Sequence, residues 1–196
     1  MLTKEQLLKP LAELRGQSVV VTSMSVTRPW GEYSSSELDF ASADSAMGHT
    51  ADLALGIALA QPGRKVVCLN GDGSMLMTLG TLATITASGA TNLVLFVVQN
   101  DTYEITGNQK IPAGGRLDFT LLAAGAGFRR IYHFEDPNLY KKSLPEVLSG
   151  EGPIFVAVRV EKGFEGPISR SAKEKSRYLQ VSLAQSAYEL RKALRS

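Results

Sequence analysis

The chain is 196 residues long, enough for one ordinary domain with a full core and too short for two. Hydrophobic residues make up 44% and charged residues 20%; 21 Lys and Arg against 19 Asp and Glu leave a formal charge of +2, too small to point to nucleic acid or an anionic membrane. One cysteine, Cys68, excludes an internal disulfide, and no stretch nears the ~18–20 apolar residues of a membrane span, so a cytoplasmic protein with no nucleic-acid or membrane partner is expected.

Residues 3–15, "TKEQLLKPLAELR", carry Leu7, Leu8, Leu11 and Leu14 at helical spacing with Thr3 as N-cap; Pro10 is expected to kink or split that helix. "SVVVTS" at 18–23 predicts a short buried strand. Residues 24–49 are polar, contain Gly and Pro and keep no period, which predicts a long loop of the kind that carries function. From residue 48 the pattern turns regular. A helix of small residues, "GHTADLALGIALAQPG", leads to a strand "KVVCLN", a helix "SMLMTLGTLATITASG" with Ser74 near its N-cap, and a strand "NLVLFVVQN". A short helix "DFTLLAAGAGF", a strand "RRIYHFE", a helix "PNLYKKSLPEVLSG" and a strand "PIFVAVRV" follow. Residues 170–195 predict a charged amphipathic helix with Tyr178, Leu179, Leu183, Tyr188 and Leu190 as its apolar positions. Strands apolar throughout and alternating with helices predict an α/β three-layer sandwich, a mainly parallel sheet covered by helices on both faces. Residues 1–165 form the main domain in this reading, and residues 166–196 a C-terminal extension belonging to the same unit.

Ligands of such sheets bind beyond the carboxyl ends of the strands. Two of those ends are chemically unusual: Gly71-Asp72-Gly73-Ser74, and "QNDTYEITGNQ" at 99–109. Glycines on both sides of Asp72 let the backbone turn tightly and approach a ligand. Free N–H groups of Gly73 and Ser74 at a helix start would donate to a phosphate oxygen. A carboxylate beside a phosphate repels it unless a cation sits between them, so Asp72 implies a metal. Magnesium, which takes hard oxygen ligands, bridges a carboxylate to a diphosphate. Asn100 can supply a second oxygen, and the Thr102 carbonyl could supply a third. Either motif alone is an ordinary turn; the pair, one helix and one strand apart at two strand ends, is what points to a site. A P-loop is absent, and no G-x-G-x-x-G opens the first helix.

The stretch "GDGSMLMTLGTLATITASGATNLVLFVVQN" resembles the signature of the thiamine-diphosphate enzymes, with Gln99 in place of the first Asn of the usual pair. "SAMGHTADLALGIALA" is similar to the segment that precedes it in that superfamily. More narrowly, "MGH…GDGS…ND.Y..TGNQ" resembles the pyrophosphate-binding half of sulfopyruvate and phosphonopyruvate decarboxylases, in some of which it is a separate β subunit. The resemblance covers roughly residues 17–160. It implies that Asp72 and Asn100 hold Mg2+ through their side chains and Thr102 through its carbonyl. Gly71, Gly73 and Ser74 would bind the diphosphate, with Tyr103 beside them. Met47 would stand as the apolar residue under thiamine diphosphate that bends it into its reactive shape, while the backbone at Ser45 and Met47 meets the pyrimidine edge with Gly48 between. Ser25, Thr27 and His49 are further candidates for the cofactor, although His49 has a structural role as an equal alternative and Met47 can be core. Ile105 and Thr106 are expected to face the substrate; some pyruvate decarboxylases have a catalytic Glu where this chain has Thr106.

Generating the reactive cofactor takes a glutamate on the pyrimidine ring. In the family it comes from a second domain of ~150–200 residues. Asp39 and Asp44 lie in the wrong half of the architecture to replace it. The resemblance therefore implies a partner pyrimidine-binding (alpha-type) subunit, a shared interface, no activity alone, and a homo- or hetero-oligomer. The expected substrate is a small 2-oxo acid. Arg28, Lys110 and Arg116 are the cations available for a sulfonate or phosphonate end, each more simply read as a surface charge. An acetolactate-synthase-like carboligase subunit and a catalytically silent cofactor-binding module are the alternatives.

Overall fold

The computed structural model describes residues 1–41 and 47–195. Its helices are α1 (Lys4–Leu14), α2 (Thr27–Trp30), α3 (Thr50–Ala60), α4 (Asp72–Met77), α5 (Gly80–Ala87), α6 (Phe119–Gly125), α7 (Pro137–Ser149), α8 (Arg177–Gln180) and α9 (Leu183–Ala193). The strands are β1 (Val19–Thr22), β2 (Asp39–Ala41), β3 (Val66–Gly71), β4 (Leu93–Gln99), β5 (Thr102–Tyr103), β6 (Gln109–Lys110), β7 (Arg130–Phe134) and β8 (Ile154–Arg159). Six of them form one parallel sheet in the order β2-β1-β3-β4-β8-β7, and β5 pairs antiparallel with β6 in a separate ribbon.

Both faces of the sheet are buried, which is why its central strands read as unbroken apolar runs. Val20, Val67, Leu69, Phe96 and Val156 point to the face covered by α1 and α7. Their sequence neighbours Val21, Val66, Cys68, Leu95 and Phe155 point to the face covered by α3, α5 and α6. The expected three-layer sandwich is thus the observed one. On α3, Ala51, Ala54 and Ala58 face the sheet, so small side chains bring this helix close to β3.

Three local expectations need correction. Pro10 does not split α1: the helix runs through it, started by a capping box between Thr3 and Gln6. A helix-interior proline costs ~3 kcal/mol, but burying Leu7, Leu8 and Leu11 returns ~1.5–3 kcal/mol each. The segment after Asp72 is two helices, not one. Ser74 lies inside α4, Gly71 is the N-cap residue, and the chain breaks at Thr78, whose hydroxyl donates to the Gly48 carbonyl. Residues 24–41 are not a plain loop either: they contain a 3-10 turn at Met24–Val26, α2 and the edge strand β2.

The C-terminal extension also departs from one helix. Ser182 caps α9 by accepting from the Gln185 N–H, with Val181 extended before it. Tyr178 and Leu179 join the α1 side of the core, Leu190 joins the α3 side, and Leu183 and Tyr188 stay exposed. The segment therefore wraps the β2 edge, which would otherwise present unpaired backbone groups.

Candidate active site

A cleft of about 150 Å³ opens at the carboxyl ends of β1, β3 and β4. This is where the strand order reverses, since β1 lies between β2 and β3. Met24 and Ser25 line it from the turn after β1, Met47 from the loop before α3, and Gly71, Asp72, Gly73 and Ser74 from the β3–α4 junction. Asn100 and residues Thr102 to Thr106 complete it from beyond β4. Eleven of the positions singled out above meet here: Ser25, Met47, Gly71, Asp72, Gly73, Ser74, Asn100, Thr102, Tyr103, Ile105 and Thr106.

Asp72 is 2% exposed. One carboxylate oxygen accepts from the Gly73 N–H at 2.7 Å; the other accepts from the Asn100 and Asp101 N–H groups at 3.1 and 2.7 Å. Asp101 reaches this geometry in the left-handed region, at φ 61. These bonds tie the end of β3 to the end of β4 and correct one expectation: the Gly73 N–H is not free for a phosphate but engaged by Asp72 itself. Burial pushes the Asp72 carboxyl up to about 6, against the pull of its three N–H donors. No basic side chain pairs with it among the described residues.

The donor set suits a hard cation. A carboxylate, the Asn100 amide and Thr102 share the cleft, and no group of three His, Cys, Asp or Glu occurs among the described residues to make a softer metal centre. Among the described residues the cleft lining contains two carboxylates, Asp72 and Glu104, and no Lys, Arg or His. Such a surface takes an anionic group only with a cation between them.

Close packing shapes the floor. A Cβ on Gly73 would lie 2.5 and 2.7 Å from ring carbons of Tyr103 and 3.1 Å from Ile111 Cγ2. Tyr103 thus lies across a glycine that no other residue can replace without moving the ring. Gly73→Ala is expected to destabilise the fold by ~1–3 kcal/mol and to shift the Tyr103 ring resonances, both measurable on one sample by melting and NMR. Gly48, at φ +94, donates to Ser74 Oγ at 3.0 Å and accepts from Thr78, which fixes the loop that carries Met47.

Other candidates fall elsewhere. Thr27 is buried with its hydroxyl 3.2 Å from that of Thr22, outside the cleft. His49 is exposed and sits 2.8 Å from the Asp52 carboxylate, also outside. Ser45 and Asp44 lie outside the described residues. Lys110 and Arg116 are exposed and do not line the cleft.

Arg28 has a different job from a substrate contact. It donates to both Glu174 oxygens and to the carbonyls of Gly166 and Pro167, which lowers the Glu174 carboxyl and raises the Arg28 guanidinium. It is the clamp of the C-terminal extension. Arg28→Ala is expected to speed amide exchange over residues 163–176 by at least tenfold, ~1.4 kcal/mol of local protection, while leaving β3 and β4 unchanged.

Glu104 escaped the sequence reading. It lines the cleft with its side chain 1% exposed, bonded to Asn100 and Lys4. Its one sequence signal is a carboxylate inside the same loop as Thr102 and Tyr103; its partner Lys4 is a hundred positions away.

These features define an oxygen-donor cleft at the switch point of a doubly wound sheet, where such folds take phosphorylated ligands. Residues 22–158 match the family described as thiamine pyrophosphate enzyme, C-terminal TPP binding domain, and the chain belongs to that family. It is 36% identical over 118 residues to phosphonopyruvate decarboxylase of Streptomyces viridochromogenes, covering 60% of this chain and 29% of that one. It is 38% identical over 117 residues to sulfopyruvate decarboxylase subunit beta of Methanothermobacter thermautotrophicus, covering 60% of each. The chain thus spans less than two thirds of these relatives. A Mycobacterium smegmatis protein assigned to the thiamin diphosphate-dependent enzymes has the same fold, with a TM-score of 0.69 at 22% identity over 83% of this chain and 32% of that one. No helix among the described residues is long and apolar enough to cross a membrane.

Proposed function

We propose that this chain is the thiamine-diphosphate- and magnesium-binding subunit of a heteromeric 2-oxo acid decarboxylase of the sulfopyruvate or phosphonopyruvate type. The observation that carries it is the cleft: Asp72, Asn100 and Thr102 gathered beside the Gly73 turn, with no Lys, Arg or His in the lining among the described residues. Asp72 and the Asn100 amide oxygen would hold the metal with the Thr102 carbonyl, and the α4 backbone at Ser74 would meet the diphosphate. Met47 would bear on the cofactor from the loop that Gly48 anchors. When bound, the cofactor supplies the electron sink for loss of CO2 from a 2-oxo acid. Ile105 and Thr106, at the outer wall, would face that acid.

The partner is supported by two things. Cofactor pockets run ~300–1,000 Å³, and the cleft lined by the described residues encloses about 150 Å³, which supports a reading in which a second chain adds further walls. The Methanothermobacter thermautotrophicus relative is itself named a subunit. We assign these walls, and the activating glutamate, to a pyrimidine-binding subunit. The test is reconstitution with such a subunit, 2-oxo acids and product analysis. Aldehyde release that requires both chains supports the reading. A coupled hydroxy-ketone would make the pair a carboligase, and no turnover in any mixture would leave a silent binding module.

A further inference from the structure

The Asn100 side chain is an amide with two faces, one oxygen and one NH2, and only the oxygen can hold a cation. Its orientation here is set by partners that cannot change roles. Nδ2 donates to Glu104 Oε2 at 2.8 Å, and Oδ1 accepts from the Thr102 N–H at 3.1 Å. A carboxylate only accepts and a backbone N–H only donates, so the reverse rotamer would break both bonds. The Thr102 bond uses one of the two lone pairs of Oδ1 and leaves the other free.

Glu104 is itself held in place from the other side. Its second oxygen accepts from Lys4 Nζ at 2.6 Å and from the Glu165 N–H at 3.0 Å. Lys4 keeps a second carboxylate tolerable in a cleft that already contains Asp72. The N-terminal helix and the C-terminal segment thus converge on one buried side chain that touches Asn100.

We propose that Glu104 is a positioning residue: held by Lys4 and the Glu165 backbone, it locks the Asn100 amide so that its oxygen, and never its NH2, is presented to the metal. This rests on Asn100 being a magnesium ligand. A positioning partner of a metal ligand is typically worth ~10–100-fold in affinity.

The test uses the full chain, magnesium and inorganic pyrophosphate in calorimetric titrations. Glu104→Gln is expected to weaken binding about tenfold. In an Asn100→Asp background, where both faces are oxygen, the same change is expected to cost nothing. Equal losses in the two backgrounds would overturn the proposal, since Glu104 would then act through the fold. Glu104→Asp, whose shorter side chain withdraws from Asn100, repeats the cycle if the first variant fails to fold. A metal-free readout stands beside it: the Asn100 side-chain amide protons should move upfield in Glu104→Gln, and resonances that stay put would also overturn the proposal. An unaltered chain that binds no magnesium pyrophosphate while those resonances respond would remove the metal assignment and leave Glu104 as the residue that orients Asn100.

Discussion

Without metal, Asp72→Asn is expected to melt above the unaltered chain at pH 7.5 and to have lost magnesium-dependent binding of thiamine diphosphate by at least a hundredfold. The stability half of this follows from the raised carboxyl. In the folded chain it titrates near 6, against an ordinary value near 3.8. Folding therefore favours the protonated acid, and the charged form costs the fold about 3 kcal/mol. That cost is fully present above pH 6, shrinks as pH falls through 6, and is gone below about 4. Asn, which carries no charge to desolvate, escapes it at every pH, although it accepts fewer of the three N–H bonds. The difference between the two melting curves should accordingly close as pH falls from 7.5 to 4. The binding half follows from chemistry: an amide cannot neutralise a divalent cation between itself and a diphosphate. A wild-type chain more stable than Asp72→Asn at pH 7.5 without metal would contradict the first half, and unchanged binding the second.

The second large effect lies at the other end of the sheet. Asp39 on β2 is 4% exposed and paired with Arg15, itself 6% exposed. Arg15 also donates to the Ser18 carbonyl and to Ser34 Oγ, and lies 5.9 Å over the Trp30 ring. Burial raises the Asp39 carboxyl despite the guanidinium, and burial lowers Arg15. Each charge is tolerated because the other is there. Asp39→Ala strands a buried guanidinium and is expected to cost ~3–5 kcal/mol in urea denaturation. Replacing both, as Arg15→Met with Asp39→Leu, should cost less than Asp39→Ala alone. A single-variant cost under about 1 kcal/mol would contradict this account of the pair.

Much of the architecture is legible in the chain because burial on two faces leaves no polar phase to confuse. "KVVCLN" and "NLVLFVVQN" could only be central strands of a covered sheet. What stayed hidden depends on contacts between distant positions. β2 is three residues with an aspartate at its start, and it is stable inside because Arg15 comes from the end of α1. The helix after Asp72 shows an unbroken periodic pattern, yet Thr78 leaves it to hold Gly48. Leu183 and Tyr188 read as apolar positions of one amphipathic helix and yet remain in water, because the core they might have met is already closed by Tyr178, Leu179 and Leu190. At the site the same division holds. The glycines around Asp72 announce a tight turn, and Asn100 ends the next strand, so both were readable. Glu104 was not: its meaning comes from Lys4 and Glu165, which no local pattern connects to it.

The most direct test of the central claim is a calorimetric titration of thiamine diphosphate with Mg2+ into the purified chain, with Asp72→Ala as control, and then in the presence of a pyrimidine-binding subunit. The account predicts binding that needs Asp72 and tightens by at least tenfold when the second subunit closes the cleft. A folded chain that binds nothing under either condition would contradict it, and Gly71-Asp72-Gly73-Ser74 would be only the turn between β3 and α4.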